Sequence, residues 1–433
     1  MRAPTTGEAA CLVAGAVLGV GACALLRPAP AAAAAAAPSP PAPPPTHLAK
    51  AAALRSFVAA VLASCGVPAA AAREGAAILV LADLRGIDSH GVARLRKYYE
   101  MLRSGAINAR PAIRVVHEAG STALVDGDNG LGLVVGPWAN RLAMEKAAGP
   151  AGSGWVAVRN SNHFGIAGAY ALVAADKDLI GVAMTNAGAS VAPCFGAQRM
   201  LGTNPMAYSF PGGARPPVLV DLATSVVPFG KVEECLRAGA TMPEGWGVGP
   251  GGAPTRAPAD VKAGGALLPL GGDRQHSSHK GYCLGAVVDM LCGVLPGAGW
   301  GPTAQNFASA VAAVDNGQKK IGHFFGAMRP SGFRPDGDGG GGGGAAVSGE
   351  AAFKGEVDNW VDAFHACTPS DAAQPVLVPG DPEREAQRAR SVAGVPIKLS
   401  VWRDLLHVAE LSGAALPLDA ASLAALRAKL EAL

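Results

Sequence analysis

Three stretches in the first part of the chain place apolar residues three and four positions apart, which is the spacing of an amphipathic helix. Gly66 and Pro68 separate the first two stretches, and Gly105 follows the third, so residues that interrupt helices mark each end. The predicted helices cover residues 48–65, 69–84 and 92–104. The pattern therefore predicts a mostly helical N-terminal part.

The pattern changes after Pro111, where short β-branched and apolar runs are divided by glycine and serine. Residues 113–117 and 123–126 predict a hairpin. Further along, helical and extended segments alternate, which favours an α/β sheet. The predicted helices here are 133–148 and 168–176, and the predicted strands are 155–159, 180–185, 206–210 and 218–221.

The C-terminal part predicts a long buried helix over 282–295 and two closing amphipathic helices over 399–411 and 420–430. Between them, residues 334–350 are of low complexity, and Gly337 to Gly344 is almost pure glycine. Loops that bind phosphate combine glycine with fixed lysine, serine or threonine positions. We therefore interpret 334–350 as a flexible surface insertion and not as a phosphate loop.

Residues 1–47 differ from the rest of the chain. Arg2 precedes an apolar run from Ala9 to Leu26, and an Ala/Pro tract then continues to about Thr46. A basic start, an apolar segment and small residues are typical of a signal peptide or signal anchor. We expect secretory or organelle targeting, or a membrane anchor, and otherwise a cytoplasmic protein; an Ala-rich leader without function is the alternative. The catalytic region would then span 48–433, after a disordered spacer.

Composition excludes several classes of protein. The formal charge of +3 over 433 residues gives no reason to expect nucleic acid as a partner, or a membrane contact outside the leader. The eight cysteines form no C-x-x-C pair and the histidines lack ligand spacing with acidic partners, so we predict no metal site. There is no G-x-S-x-G, P-loop or H-E-x-x-H motif. The glycines of Gly127–Gly132 do not form the G-x-G-x-x-G of a Rossmann unit.

Two clusters each hold a histidine beside small polar residues and a glycine. His163 lies in the segment Arg159–Gly165, and its imidazole could take a proton from an alcohol while hydride leaves the same carbon. A core histidine bonded to the backbone is an equal alternative. Ser89, His90 and Arg94 form the second cluster, in which the guanidinium could pair with a carboxylate. A capped helix start with a solvated arginine explains that cluster as well.

Six motifs occur in an order that resembles the type-2 malate/L-lactate dehydrogenase family, which includes ureidoglycolate and sulfolactate dehydrogenases. The resemblance covers about residues 48–333 and resumes at 351–415. The motifs are D-S-H-G-V-A-R at Asp88–Arg94, R-N-S-N-H-F-G at Arg159–Gly165, L-G-T-N-P at Leu201–Pro205, D-L-A-T-S at Asp221–Ser225, P-x-G-W at Pro243–Trp246 and H-K-G-Y at His279–Tyr282.

The resemblance implies an NAD(P)-dependent oxidoreductase for 2-hydroxy acids and their 2-keto partners, with a non-Rossmann α/β fold particular to the family. It implies a homodimer with active sites near the subunit interface, and it leaves NAD against NADP open. By matched position it makes His163 the proton acceptor. The resemblance also places Ser89, His90 and Arg94 in the catalytic set, in contact with the substrate. The other implied roles are substrate binding by Asn186, Thr203 and Asn204, and cofactor binding by Asp221, Leu222, Ala223 and Lys280.

The chain departs from the family pattern at Thr185-Asn186-Ala187, where many members carry a serine or threonine at the third position. The departure concerns the identity of the substrate more than the type of reaction. Two alternatives to hydroxy-acid oxidation stay open: reduction of a cyclic imino acid, and an inactive structural relative. The inactive relative would be free to lose His163, Arg94 or Lys280, and all three are present.

Overall fold

The computed structural model describes residues 45–305, 307, 319–336 and 348–432. Its helices are α1 (Ala51–Ser64), α2 (Ala69–Leu84), α3 (Leu95–Arg103), α4 (Gly132–Ala148), α5 (Gly168–Ala175), α6 (Phe229–Arg237), α7 (Pro258–Lys262), α8 (Ser278–Asp289), α9 (Gly349–His365), α10 (Asp381–Ala393), α11 (Leu399–Ser412) and α12 (Ala420–Glu431). Its strands are β1 (Thr46–Ala49), β2 (Arg114–Ala119), β3 (Thr122–Gly130), β4 (Ser153–Ser161), β5 (Ile180–Thr185), β6 (Met206–Phe210), β7 (Val218–Leu222), β8 (Gly247–Val248), β9 (Pro254–Thr255), β10 (Ala266–Leu267), β11 (Ile321–Met328) and β12 (Val395–Lys398).

Seven strands form the main sheet, in the order β2-β3-β4-β11-β5-β6-β7. Only the β3–β4 pair is parallel among the described strands, and every other neighbour in this sheet is antiparallel. Two smaller sheets, β1-β12 and β10-β8-β9, lie beside it. The predicted mixed α/β class is confirmed, and so is the predicted hairpin, which is formed by β2 and β3.

Helices cover both faces of the central strands. On one face α4 packs on β4 and β11, and α5 packs on β5 and β6. The core there is continuous with the buried faces of α1, α2, α3 and α11. The other face packs against Val288 of α8 and Cys292, in a π-helical turn over Met290–Val294. Burial on both faces explains why β11 is almost entirely apolar, with no alternation of polar residues.

The predicted first helix begins three residues too early. Residues 46–49 form β1, which pairs antiparallel with β12, and Lys50 remains extended before α1 starts at Ala51. Trp402 of α11 is fully buried and donates from its indole N–H to the carbonyl of His47 at 3.1 Å. The pairing is long-range, so the local helical pattern could not reveal it. The predicted boundary at residue 47 falls inside β1, and the leader and spacer assignment of 1–47 stays a prediction.

Two other predicted helices are only partly regular. Residues 92–104 were expected to form one helix, but Val92–Arg94 is a 3-10 turn and α3 begins at Leu95. The predicted helix 282–295 starts earlier, at Ser278, and ends in the π-helical turn. Both irregular segments are held by tertiary contacts that a helical period does not encode. The sequence-based prediction also missed β11, α6, α9 and α10.

The predicted membrane attachment through the N-terminal segment is corrected. In the part of the chain that the structure describes, no helix is long and apolar enough to cross a bilayer. The apolar run Ala9–Leu26 lies outside the described residues, as does the glycine tract of Gly337–Gly344.

Close packing of α4 on the sheet requires glycine at position 154. A Cβ on Gly154 of β4 would lie 2.0 Å from the carbonyl oxygen of Ala143 on α4. We therefore expect Gly154→Ala to lower the free energy of unfolding by about 1–3 kcal/mol, because the helix would have to move away from the strand. Urea unfolding followed by circular dichroism measures this change.

Gly355→Ala is the matched control. Gly355 lies within α9 and is exposed, and a Cβ at this position would meet no neighbouring group of the described residues within 4 Å. That variant should be as stable as the wild type or more stable by about 0.5–1 kcal/mol, since alanine favours helices over glycine. Equal stability of Gly154→Ala and the wild type would contradict the packing argument.

Candidate active site

The predicted site residues gather at one end of the seven-stranded sheet. The carboxyl end of β4 pairs with the start of β11, whose His323 lies opposite the last residue of β5. The start of β6 in turn pairs with the end of β7. His163 follows β4, Asn186 follows β5, Asn204 precedes β6 and Asp221 lies in β7. The sheet therefore brings residues from four separate segments to the same end of its strands.

A buried carboxylate shapes the segment that carries Ser89, His90 and Arg94. Asp83, 3% exposed near the end of α2, accepts the backbone N–H of Val92 at 2.8 Å. A Cβ on Gly91 would lie 2.0 Å from an oxygen of this carboxylate, so only glycine lets the chain pass so close. Burial raises the pKa of Asp83 well above its usual range, against the opposing effect of the Val92 N–H. The chain turns here through two 3-10 turns.

These turns bring the three side chains of the cluster together. The hydroxyl of Ser89 lies 2.9 Å from Nδ1 of His90, and Nε of Arg94 donates to the carbonyl of Ser89 at 2.7 Å. The two terminal nitrogens of Arg94 have no hydrogen-bond partner among the described residues. Ser89 and Arg94 line a cleft of about 540 Å³. Its other walls come from α6, β12 and α11, with Lys231, Glu234, Arg237, Lys398 and Asp404 among the lining residues.

His163 lies directly behind this cluster. Its ring stacks on His90 with 5.4 Å between centroids, and on Phe307 with 4.7 Å. Its Nδ1 lies 2.5 Å from the hydroxyl of Tyr98. Burial, then the neighbouring His90, Arg94 and His323, lower its pKa well below the usual range. His163 is therefore neutral at neutral pH.

The pKa of His90 is lowered to about 4, chiefly by burial and then by the cation of Arg94. A fully buried histidine, His323 of β11, lies on the inner side of the same layer. Its Nε2 lies 2.7 Å from the Ser161 hydroxyl and its Nδ1 lies 2.8 Å from the Thr185 hydroxyl. Its ring stacks flat on Phe164, the residue after His163. His323 therefore fixes the strand ends that carry His163 and Asn186.

The amides of Asn186 and Asn204 are engaged within the fold. Both residues are completely buried. The Asn186 amide donates to a carbonyl in the loop before β11 at 2.6 Å and accepts an N–H of β11 at 3.1 Å. The Asn204 amide donates to a carbonyl of α8 at 3.0 Å and accepts the N–H of Ala187 at 3.1 Å. The Thr203 carbonyl accepts the N–H of Thr224. A substrate contact from these residues stays a prediction.

Three of the predicted cofactor residues lie in or directly after β7, an outer strand of the sheet. Asp221 accepts the N–H of Gly168, at the start of α5, at 2.9 Å. Burial raises the pKa of Asp221 to about 6, although the Gly168 N–H and the Arg85 cation act in the opposite direction. Leu222 ends β7 and Ala223 follows it. Lys280 is exposed in the first turn of α8, and its ammonium group has no partner in the described part of the chain.

Sequence analysis missed several residues that shape the site, including Tyr98, His323, Phe307 and Arg85. Tyr98 occupies an apolar position of a helical pattern, and this pattern carries no sign of a polar role. Asp83 did leave a signal: it is an acidic residue on the apolar side of a helix, followed by a glycine-containing segment. A buried carboxylate requires hydrogen-bond donors, so Asp83 alone could have been inferred to hold the next turn.

A family model for malate/L-lactate dehydrogenase matches residues 49–406. The chain belongs to the malate/L-lactate dehydrogenase family. It is 40% identical over 361 residues to a malate dehydrogenase of Pyrococcus abyssi, covering 83% of this chain and 93% of that one. It is 36% identical to an L-sulfolactate dehydrogenase of Methanocaldococcus jannaschii, covering 80% and 92%. The structure of malate dehydrogenase from Pyrococcus horikoshii OT3 superimposes with a TM-score of 0.74 at 37% identity, covering 86% and 97%.

Membership of the malate/L-lactate dehydrogenase family confirms the resemblance inferred from the motifs. The chain is therefore an oxidoreductase that acts on CH–OH groups.

The lowered histidine pKa values predict acid sensitivity. His90 has its usual pKa of 6.5 when unfolded and about 4 when folded, so the unfolded chain binds more protons between these values. The contribution of His90 to stability is complete above pH 6.5 and is lost as the pH falls toward 4. We expect His90→Gln to lose less stability than the wild type between about pH 7 and 5, measured by urea unfolding.

His117→Gln serves as the control, because His117 is exposed on β2. It should show the same fall in stability with pH as the wild type. If the free energy of unfolding falls equally with pH in His90→Gln and in the wild type, His90 is not held neutral by burial.

Proposed function

We propose that this chain interconverts a 2-hydroxy acid and its 2-keto acid by NAD(P)-dependent hydride transfer, with His163 exchanging the proton and Arg94 binding the carboxylate. One observation carries the proposal. The terminal nitrogens of Arg94 are unpaired among the described residues, face a cleft, and lie next to the His90–His163 stack. A guanidinium binds a carboxylate through two parallel hydrogen bonds, which orients the adjoining carbon.

The proton chemistry follows from the burial of His163. A neutral imidazole can exchange a proton with an oxygen on the substrate. The nearby Arg94 cation disfavours a lasting positive charge on the ring, because it lowers the pKa together with burial and His90. Ser89 would add a donor to the substrate, since its hydroxyl lies beside His90.

The residues near Asp221 suit a nicotinamide cofactor. Arg85 is 4% exposed, and its Nε and Nη2 atoms have no hydrogen-bond partner in the described residues. These two atoms form one edge of the guanidinium, which matches a phosphate group. Asp221 offers a carboxylate for hydroxyl groups, and Leu222, Ala223 and Lys280 would complete the set. The bound cofactor would accept or donate the hydride. We propose that it binds at the end of this largely antiparallel sheet in a non-Rossmann manner.

The substrate is proposed to carry a second anionic group. Lys231, Arg237 and Lys398 line the cleft that contains Arg94. Acidic residues line it as well, and Glu234 pairs with both lysines, which leaves Arg237 as the cation offered to a second anionic group. Relatives include a malate dehydrogenase and an L-sulfolactate dehydrogenase, and malate and sulfolactate each bear a second acidic group. Ala187 lacks a hydroxyl at the position where many family members have one, a departure that concerns the identity of the substrate.

A panel of substrates tests the proposal. Purified protein would be assayed with oxaloacetate, pyruvate, 3-sulfopyruvate, a cyclic imino acid and the methyl ester of pyruvate, each with NADH and with NADPH. We expect keto-acid reduction with at least one cofactor, and a loss of about 100-fold or more in kcat/KM for keto acids in Arg94→Met. For the ester, which has no carboxylate charge, the loss of kcat/KM in Arg94→Met should be much smaller.

Arg103→Met is the matched control, because Arg103 is exposed at the end of α3. It should retain wild-type kinetics. Equal losses on acid and ester in Arg94→Met would contradict carboxylate binding by Arg94. Turnover of the imino acid alone would replace the proposed reaction, and turnover of no substrate would favour an inactive relative.

We also propose that the chain forms a homodimer, with an exposed apolar stripe on α8 and the following turn as the contact surface. The stripe consists of side chains at least 36% exposed at helical spacing: Leu284, Val287, Met290, Val294 and Leu295. Apolar patches of this kind on a soluble protein usually mark an interface. The proposal is supported by the position of the stripe on the helix whose first turn carries Lys280.

We expect Val287→Asp to convert the dimer to a monomer, because it would bury an unpaired charge in the interface. Sedimentation velocity measures the mass in solution. Val392→Asp is the control, since Val392 is 92% exposed on α10, away from the stripe. A wild-type monomer, or a Val287→Asp dimer, would contradict the proposed interface.

A further inference from the structure

Two hydrogen-bonding groups lie next to the same nitrogen of the His163 ring. The hydroxyl oxygen of Tyr98 lies 2.5 Å from Nδ1, and the backbone nitrogen of Gly165 lies 3.3 Å from it. A backbone N–H can only donate, so Nδ1 must present its lone pair. A proton on Nδ1 in the resting ring would leave the Gly165 N–H without this acceptor. The neutral ring therefore carries its proton on Nε2, and Tyr98 donates to Nδ1.

Tyr98 is well placed to hold this tautomer. Its side chain is completely buried on α3, and within the described residues its hydroxyl has no hydrogen-bond partner besides His163. Burial raises its pKa well above the usual value, against the effect of the Arg94 cation, so the hydroxyl stays protonated at neutral pH. Phe307 packs against both rings, with centroids 5.4 Å from Tyr98 and 4.7 Å from His163.

The surroundings of His163 disfavour its cationic form. The titratable groups that face it are His90, Arg94, His323 and Tyr98, and none of them is an acid that could pair with an imidazolium. No carboxylate is hydrogen-bonded to His163 in the described part of the chain. If His163 had to become an imidazolium before it could donate a proton, very little of that form would be present at neutral pH.

We propose, on the basis of the function proposed above, that Tyr98 and His163 form a two-proton relay to the substrate oxygen. Tyr98 gives its hydroxyl proton to Nδ1 while Nε2 gives its proton to the substrate. The ring changes tautomer but remains neutral throughout. Tyr98 is thus a positioning residue for His163 and the source of the proton that the ring passes on.

The step balances in the reductive direction. The carbonyl carbon gains a hydride, and the carbonyl oxygen keeps the π electron pair and becomes an alkoxide. This oxygen takes the Nε2 proton, and Nδ1 takes the Tyr98 proton, so no imidazolate is left. Tyr98 becomes a phenolate. After the product leaves, Nδ1 returns the proton to Tyr98 while Nε2 takes one from water, so solvent does not have to reach the buried hydroxyl. Oxidation of the hydroxy acid follows the same steps in reverse.

Tyr98→Phe tests the relay, with Tyr170→Phe as the matched control. Tyr170 is an equally buried tyrosine next to the site, but its hydroxyl donates to the carbonyl of Phe164 at 2.6 Å and does not contact His163. In Tyr98→Phe we expect kcat for keto-acid reduction to fall about 100-fold and KM to stay within about threefold. Tyr170→Phe should keep wild-type kcat.

The pH profile separates the relay from a structural role. Wild-type kcat should be flat between about pH 6 and 9, because the relay needs no cationic ring. In Tyr98→Phe the ring can give a proton only as imidazolium, whose pKa lies well below its usual value. The residual rate should therefore fall as the pH rises. A Tyr98→Phe enzyme with wild-type kcat and a flat profile would overturn the relay.

The tautomer can be measured without turnover. The full-length protein would be labelled with ¹⁵N-histidine and studied by NMR. The signals of His163 are identified as those that disappear from the spectrum of the His163→Asn variant. We expect a pyridine-like shift for Nδ1 and a pyrrole-like shift for Nε2 at pH 7; the reverse assignment would overturn the relay. Full keto-acid turnover by His163→Asn would overturn both the relay and the proposed role of His163. An inactive His163→Asn with a fully active Tyr98→Phe would overturn the relay alone.

Discussion

The hydrogen bond from the Val92 N–H to the buried carboxylate of Asp83 is the constraint on which the site depends. Gly86, at φ +83°, ends α2, and the Asp83–Val92 bond then holds the chain in two 3-10 turns before α3. Those turns direct Arg94 toward the cleft. Arg390 of α10 binds the carbonyl of Asp83 and the carboxylate of Asp88, so a C-terminal helix holds the same turns from outside. An N-terminal motif is therefore positioned by residues three hundred positions away.

Burial then sets the chemistry. The rings of His90, His163 and His323 all lie in low-dielectric surroundings and all have lowered pKa values. Arg94 is the cation next to this layer, and it reinforces the neutrality of His90 and His163. Desolvation disfavours stored charge on the rings while leaving the guanidinium charged. Arg94 therefore stays charged while His90 and His163 stay neutral. This combination suits a 2-hydroxy or 2-keto acid, in which the reacting oxygen lies beside the carboxylate.

Local patterns predicted helices such as α2 and α4 well, because their apolar spacing coincides with their buried faces. They failed where long-range contacts decide the structure: Leu48 pairs in β1 instead of starting a helix, and β11 inserts between β4 and β5 from far along the chain. The motifs gave the family and the residues His163 and Arg94. They could not give Tyr98, because its buried hydroxyl is distinguished only by the nitrogen it meets across 65 positions. The expected membrane attachment rested on an apolar segment alone, and no helix of the described residues is able to cross a bilayer.

The central claim is that Arg94 and His163 act on the same small molecule. Binding of oxamate, an unreactive mimic of a 2-keto acid, measures this most directly by calorimetry with reduced cofactor present. Arg94→Met and His163→Asn should each weaken the affinity by about tenfold or more, which corresponds to about 1.4 kcal/mol. Wild-type affinity for oxamate in either variant would show that the two side chains do not share a substrate, and it would contradict the account.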